Sequence, residues 1–291
     1  MPSMGKEGRS WTLRLVGLLS PVTVWLGLFF FVPLLLILAY SFGKSGVYGG
    51  ITLGFYPGNY AKVFDPLYLE IIVRTLVIAL ITTFLCLLIG YPLAYFITFK
   101  GGRHKHTLIL LVMIPFWTSL LLRAYAWVVI LGGDNGIANR VLQFLHITDH
   151  PLTLIFTPQA VMLGMVYTYL PFMILPLYAA LEKFDWRLKE AAQDLGASRW
   201  HTFWRVTFPL SMPGVIAGSI LVFIPSAGEF VIPNLLGGAR TVMVGNLIQQ
   251  QFLSARDWAF GSALAILLAV LLVGAIMFYV RRVGAEKLEG V

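Results

Sequence analysis

The stretch TLVIALITTFLCLLIGYPLAYFITF, residues 75–99, contains no Asp, Glu, Lys, Arg or His. A helix needs about 20 mostly apolar residues to cross the hydrocarbon core of a bilayer, and this run exceeds that length. It lacks the strict alternation of apolar and polar residues that marks barrel strands. Backbone groups placed in lipid must therefore be satisfied within the segment, which a helix does. Five further runs resemble it in length and character: residues 15–43, 107–133 (interrupted by Arg123), 151–181, 206–239 (interrupted by Glu229) and 258–280. The expected fold is an all-α polytopic membrane helix bundle with six transmembrane helices.

Composition agrees. Of 291 residues, 58% are hydrophobic and 12% charged, with mean hydropathy +0.83, whereas soluble domains carry about 25% charged residues. A soluble domain of this length needs a charged surface that the sequence does not supply, so the apolar excess faces lipid. The net charge of +8 would suit a nucleic-acid partner only if the cations formed a patch; instead they cluster between the apolar runs, where they act as orientation signals. The single cysteine, Cys86, lies inside an apolar run and reads as core packing. The five histidines, His104, His106, His146, His150 and His201, fall in connecting segments without metal-ligand spacing, so no metal site is expected. An intramembrane enzyme would need a nucleophile with a base, or paired acids, at membrane depth; Glu229 is the one carboxylate in a run. The first run is too long for the 7–15-residue core of a cleaved signal and reads as a retained anchor.

Three Lys or Arg precede the first run, three lie in residues 100–105, five in residues 183–205 and three follow the last run, while Lys44, Lys62, Arg140, Arg240 and Arg256 lie on the other side. The positive-inside rule then puts both termini in the cytoplasm. This gives a cytoplasmic N-terminus at 1–14, a single transmembrane domain at 15–280 and a cytoplasmic tail at 281–291. The outer connection 44–70, rich in Gly, Tyr and Pro, reads as irregular. Residues 241–256 place Val244, Leu247, Ile248 and Phe252 on one helical face and read as a short amphipathic lid on the outer surface.

The longest inner connection lies within residues 182–210 and begins EKFDWRLKEAAQDLGASRWHTFWR. Strong helix formers occupy 185–195, Gly196 interrupts them, Ser198 suits the cap of a second helix, and Pro209 limits its extent. Helix, tight turn, helix is more structure than a plain linker needs. Leu188, Ala191, Ala192 and Leu195 recur at helical spacing, a pattern that suits a docking knob for a cytoplasmic protein. The same loop, with Trp186, Trp200 and Trp204, also suits a helix resting on lipid headgroups.

The motif Glu190-Ala191-Ala192, with Gly196 six residues after the glutamate and the ending Val206-Thr207-Phe208-Pro209, resembles the EAA loop of ABC importer permeases. Val206 and Phe208 stand where Ile and Leu are commonest in that family, and both remain apolar. The stretches FVPLLLILAYSF (31–42), IPFWTSLLLRAYAW (114–127), GEFVIPNLLGG (228–238) and GNLIQQQFLSARDW (245–258) are similar to the polyamine (spermidine/putrescine) permeases; related permeases for iron, thiamine, aminophosphonates and opines share parts of them. The resemblance implies a type I (MetI-like) importer permease of the bacterial inner membrane, itself non-catalytic. It implies a second, related permease, two ATPase subunits and a periplasmic or extracellular polyamine-binding protein as partners. It also implies that Glu190, Ala191, Ala192, Asp194 and Gly196 form the contact with the ATPase. No G-x-x-x-x-G-K-[ST] phosphate loop is present, so ATP and Mg belong to the ATPase partner and no cofactor to this chain.

A charge within a span is expensive and marks function. Glu229 is expected to face the pathway, where a carboxylate and aromatic faces replace part of the hydration of a substrate ammonium. The candidate aromatics are Trp117, Tyr125, Trp127, Tyr167, Tyr169 and Phe172. Competing roles stay open: for Glu229, a salt bridge with Arg123 or a contact with the partner permease; for each aromatic, an interfacial anchor. Arg123 would repel a cation and is assigned to structure or gating. Asp134 and Asp149 read as solvated loop charges.

Overall fold

The structure, a computed structural model, describes residues 7–46, 50–52 and 54–281, with side chains from residue 17 onward apart from that of Trp186. Residues 1–6 and 282–291, which hold parts of the expected cytoplasmic ends, lie outside the described residues, as does the Trp186 side chain.

In chain order, α1 (Glu7–Leu26) runs through a π turn (Gly27–Phe31) into α2 (Val32–Ser41). Two short strands, β1 (Lys44–Ser45) and β2 (Ile51–Thr52), and α3 (Gly58–Val63) precede the long α4 (Pro66–Lys100). Asp65 starts α4: its carboxylate accepts from the Leu67 N–H at 3.0 Å, and Pro66 takes the first position, where a missing N–H does no harm. Next come α5 (Lys105–Met113), α6 (Leu120–Leu131), α7 (Ile137–Phe144) and α8 (Pro158–Glu182), the last capped by Thr157. The loop after α8 holds α9 (Trp186–Asp194) and α10 (Arg199–Thr202), which passes through a π turn to α11 (Phe208–Leu210). Then follow α12 (Met212–Gly228), α13 (Val244–Leu253) and α14 (Trp258–Tyr279).

Four helices, Gly17–Ser41, Pro66–Lys100, Pro158–Glu182 and Trp258–Tyr279, are long and apolar enough to cross a membrane. Two bent pairs bring the number to the expected six if each is one broken span. The third apolar run is not one straight helix. It bends by 88° between Gly102–Trp117 and Leu120–Leu131, because Pro115 donates no hydrogen bond and Thr118 and Ser119 are extended, with ψ of 151° and 137°. The fifth run bends by 62° between Leu210 and Met212 and breaks again after Gly228.

The chain divides into two compact units. In the first, residues 1–63 with 251–267, the connection expected to be irregular is organised. β1 and β2 pair antiparallel, Lys44 opposite Thr52. The buried Asn59 amide donates to the carbonyls of Ser41 at 2.9 Å and Gly43 at 2.8 Å, fixing α3 on the end of α2. Asp257 accepts from the Ser45 hydroxyl at 2.6 Å and from the Phe260 N–H at 3.0 Å, and pairs with Lys62 at 3.7 Å.

The second unit, residues 64–250 with 268–291, is built on α4, α8 and α12 packed together. Lipid is as apolar as leucine, so such helices associate through close packing rather than expulsion of water, and small residues at the contact permit it. Gly214 and Gly218 of α12 serve this purpose. A Cβ on Gly214 would lie 2.7 Å from the Ala180 Cβ and the Pro176 oxygen, and one on Gly218 would lie 2.7 Å from the Met173 sulfur. Met165, Met173, Leu177 and Cys86 are buried in the seam, and Cys86 is a free thiol.

Candidate functional site

Two places in the second unit carry the residues singled out above. At the first, the loop after α8, the Asp185 carboxylate caps α9 by accepting from the Arg187 N–H at 3.0 Å. α9 ends on a glycine in the left-handed region, Gly196 at φ +85°. The Ala197 N–H donates to the Ala192 carbonyl at 3.0 Å and the Gly196 N–H to the Gln193 carbonyl at 2.9 Å, the two bonds of a Schellman termination. A Cβ on Gly196 would meet nothing within 4 Å, so the glycine answers a backbone requirement and not a shortage of space. Ser198 then caps α10, accepting from the His201 N–H at 3.3 Å.

This turn presents its side chains outward. Glu190, Ala191, Asp194 and Gly196 are exposed and Ala192 is half-buried, while Leu195 is 89% exposed and Trp200 69%. A cavity of about 550 Å³, lined by Ala179, Ala180, Lys183, Leu188, Leu210 and Gly214, separates α9 from the feet of α8 and α12. The segment after the turn is anchored instead: Phe203 and Phe208 pack on Tyr91 of α4, each with ring centroids 5.6 Å away. The Tyr91 hydroxyl shares a 2.9 Å hydrogen bond with Ser211, at the bend into α12. The structure therefore places the five expected contact residues on the end of α9 and the turn that terminates it, four of them exposed, and the following segment joins them through rings to the bundle core.

The second place is the break at Glu229. Sequence reading put this residue inside the fifth span; α12 ends one residue earlier, and Glu229 sits in extended backbone (φ −67°, ψ 135°). It is only 7% exposed. Its Oε1 accepts the N–H groups of Phe230 (3.0 Å), Val231 (2.8 Å) and Ile232 (3.4 Å), capping the helical segment 231–237. Its Oε2 accepts from the Tyr169 hydroxyl at 2.5 Å. The carboxylate is thus held by backbone N–H groups and a tyrosine hydroxyl, and no ion pair among the described residues includes it. Tyr169 lies about halfway along α8, so the carboxylate is at mid-depth in the bundle rather than toward the outer helix ends. Interrupted helices with capped half-helices at that depth are a common way to build a solute site in a transporter.

Not all expected partners meet there. Phe172 lies 6.3 Å from Tyr169 and 5.2 Å from Phe116, which extends an aromatic wall. Trp127 and Tyr167 form a separate pair at 5.7 Å. Trp117 and Tyr125 are 72% and 55% exposed and join neither group. The considered Arg123–Glu229 salt bridge is not formed: among the described residues the ion pairs are Lys62–Asp257, Arg74–Glu70 and Lys105–Glu182.

Residues 10–289 match the family of binding-protein-dependent transport system inner membrane components. The chain belongs to that family. The spermidine/putrescine transport system permease protein PotB of Haemophilus influenzae is 45% identical to this permease over 88% of its length and 90% of the relative's. PotB of Escherichia coli is 42% identical over 88% and 93% of the two chains. The fold matches that of a chain in the crystal structure of a bacterial alginate ABC transporter bound to its periplasmic protein, with TM-score 0.74 over 96% of both chains at 19% identity. The protein is thus a multi-pass inner-membrane permease of the type I importer fold.

Sequence reasoning missed the brace behind Glu229. The stretch read as a surface lid begins with buried residues: Val244, Gly245, Asn246 and Leu247. The Asn246 amide donates to the Phe230 carbonyl at 2.8 Å and to Asn234 at 2.7 Å, and its oxygen accepts from the Met243 N–H at 3.0 Å. A Cβ on Gly245 would lie 2.6 Å from the Gly228 carbonyl oxygen. The available signal was a Gly-Asn pair opening an amphipathic helix. The Gly214-x-x-x-Gly218 spacing of α12 was a second signal passed over, and it marks a helix contact face.

Proposed function

We propose that this permease is one of the two membrane-spanning subunits of an ATP-driven polyamine importer, carrying spermidine or putrescine inward by alternating access. Its 42–45% identity to spermidine/putrescine permeases along 88% of the chain carries this reading. The chemistry of the Glu229 break supports it. Oε2 accepts one bond from Tyr169 and retains capacity for another donor, and Phe172 lies 6.3 Å from the Tyr169 ring, which supplies aromatic faces near that tyrosine that favour a cation.

The chain is the transport subunit and performs no hydrolysis; two separate ATPase subunits hold ATP and Mg. In this reading the 182–210 loop faces the cytoplasm with both termini, and the turn formed by Glu190, Ala191, Ala192, Asp194 and Gly196 seats in the ATPase. Movement of that knob passes through Phe203, Phe208 and Tyr91 to the Ser211 bend and tilts α12, at whose far end Glu229 sits. A rigid-body shift of this kind exposes the site alternately to each side. A second, related permease supplies the other wall of the pathway, and an outer receptor protein delivers the polyamine.

The test is a binding measurement on the receptor that works with this permease, followed by ATP-dependent uptake in vesicles. Tight spermidine or putrescine binding with matching uptake is expected. Tight binding of ferric ion or thiamine with no response to spermidine contradicts the polyamine assignment and leaves the importer architecture standing.

A further inference from the structure

A buried cation is normally held by hydrogen bonds, since the interior solvates it poorly. Arg123, half-buried, departs from this at two of its nitrogens. Among the described residues, its Nε and Nη1 are buried and meet no hydrogen-bond partner, and none of the three ion pairs includes it. It projects from α6, which packs against α8 and against the π turn Pro233–Gly237 that follows Glu229. α8 carries Tyr169, whose hydroxyl holds Glu229. Orphaned donors and a carboxylate with spare acceptor capacity therefore lie on elements packed against one another, and no bond joins them.

We infer that Arg123 is a tethered competitor of the cationic substrate: it pairs with Glu229 when the pathway is empty and sealed, and yields the carboxylate when a substrate ammonium arrives. The inference rests on the polyamine reading above. Three physical points carry it. The planar guanidinium fork carries buried N–H groups that meet no acceptor, and a carboxylate is the acceptor its donors suit. A primary ammonium offers the same kind of donor to the same oxygen. One carboxylate cannot neutralise two cations side by side, so occupation by one excludes the other. The arrangement makes release of the seal conditional on charged cargo, because a neutral solute has no charge with which to displace the arginine.

The test uses the whole importer, reassembled in nanodiscs with its second permease, its ATPase subunits and its receptor. ATP hydrolysis is measured without substrate and across a spermidine titration for wild type, Arg123→Gln, Arg123→Lys, Glu229→Gln and the double variant Arg123→Gln/Glu229→Gln. Arg123→Gln is expected to raise substrate-free hydrolysis about fivefold or more and to lower the half-saturating spermidine concentration by a similar factor. Arg123→Lys, which keeps the charge and loses the fork, should fall between it and wild type. With Glu229→Gln present, replacing Arg123 should change substrate-free hydrolysis no further. Independent effects of the two substitutions, or a substrate-free rate unchanged in Arg123→Gln, overturn the inference. Should Arg123→Gln not reach the membrane, Arg123→Lys carries the same comparison with and without Glu229→Gln. A wild-type importer that ignores spermidine sinks the polyamine reading, while the substrate-free rates still decide whether Arg123 and Glu229 are coupled.

Discussion

The turn at Gly196 and the break at Glu229 are both interruptions of helix, and they are stabilised in opposite ways. At Gly196 every backbone bond closes within six residues, Ala197 to Ala192 and Gly196 to Gln193, and most side chains around it are exposed. At Glu229 the carboxylate joins neighbouring N–H groups to Tyr169, sixty positions earlier, and Asn246 of α13 braces the same backbone. The docking role proposed for the exposed turn asks only that its own shape persist, so local bonds suffice. A buried break must satisfy every polar group within a solvent-poor bundle, and that requires several helices at once. Damage should therefore spread through the bundle from the second place and remain confined at the first.

Glu229→Ala gives the strongest test of that contrast. It removes the acceptor from three backbone N–H groups and one hydroxyl, and each buried orphan costs about 1–3 kcal/mol. A lowered unfolding midpoint for the detergent-solubilised chain, with loss of uptake, is expected; an unchanged midpoint would mean that the cap is dispensable. Gly245→Val should come next. Its Cβ falls 2.6 Å from the Gly228 oxygen, and such overpacking costs about 2 kcal/mol, readable in the same melt. Tyr169→Phe removes one hydrogen bond to a charged group, worth about 1.5 kcal/mol, and leaves the N–H cap in place. A melt lowered as far as that of Glu229→Ala would contradict the division of labour. The smallest effect is expected for Ser198→Ala, which loses a helix cap worth about 1 kcal/mol. Faster amide exchange around His201, with no shift in the global melt, would mark the loop as a local structure.

The same contrast explains what could be read from the sequence. The turn was legible, because Gly196 interrupts a run of helix formers and Ser198 specifies a cap within a few positions; the Asp185 cap was not singled out. The long runs were legible as membrane helices for the same local reason. The bends were not: Pro115 and Ser211 look like ordinary span residues until extended neighbours and packing reveal where the axis turns. Glu229 could be singled out as a costly charge, but its position at a helix break depends on Tyr169 and Asn246, which no local pattern ties to it. Of the proposed aromatic wall, Tyr169 bonds that carboxylate and Phe172 adjoins Tyr169, whereas Trp117 and Tyr125 lie on exposed faces, a difference that helix rotation decides and composition does not.

The claim that force enters through the Gly196 turn is tested most directly by Gly196→Leu. The position has φ +85° and open space around its missing Cβ, so a leucine strains the turn by about 1–2 kcal/mol without touching the bundle. Uptake of labelled spermidine into vesicles is measured beside membrane abundance and co-purification of the ATPase. Wild-type abundance with uptake abolished is the expected result; wild-type uptake with the ATPase still bound would contradict it.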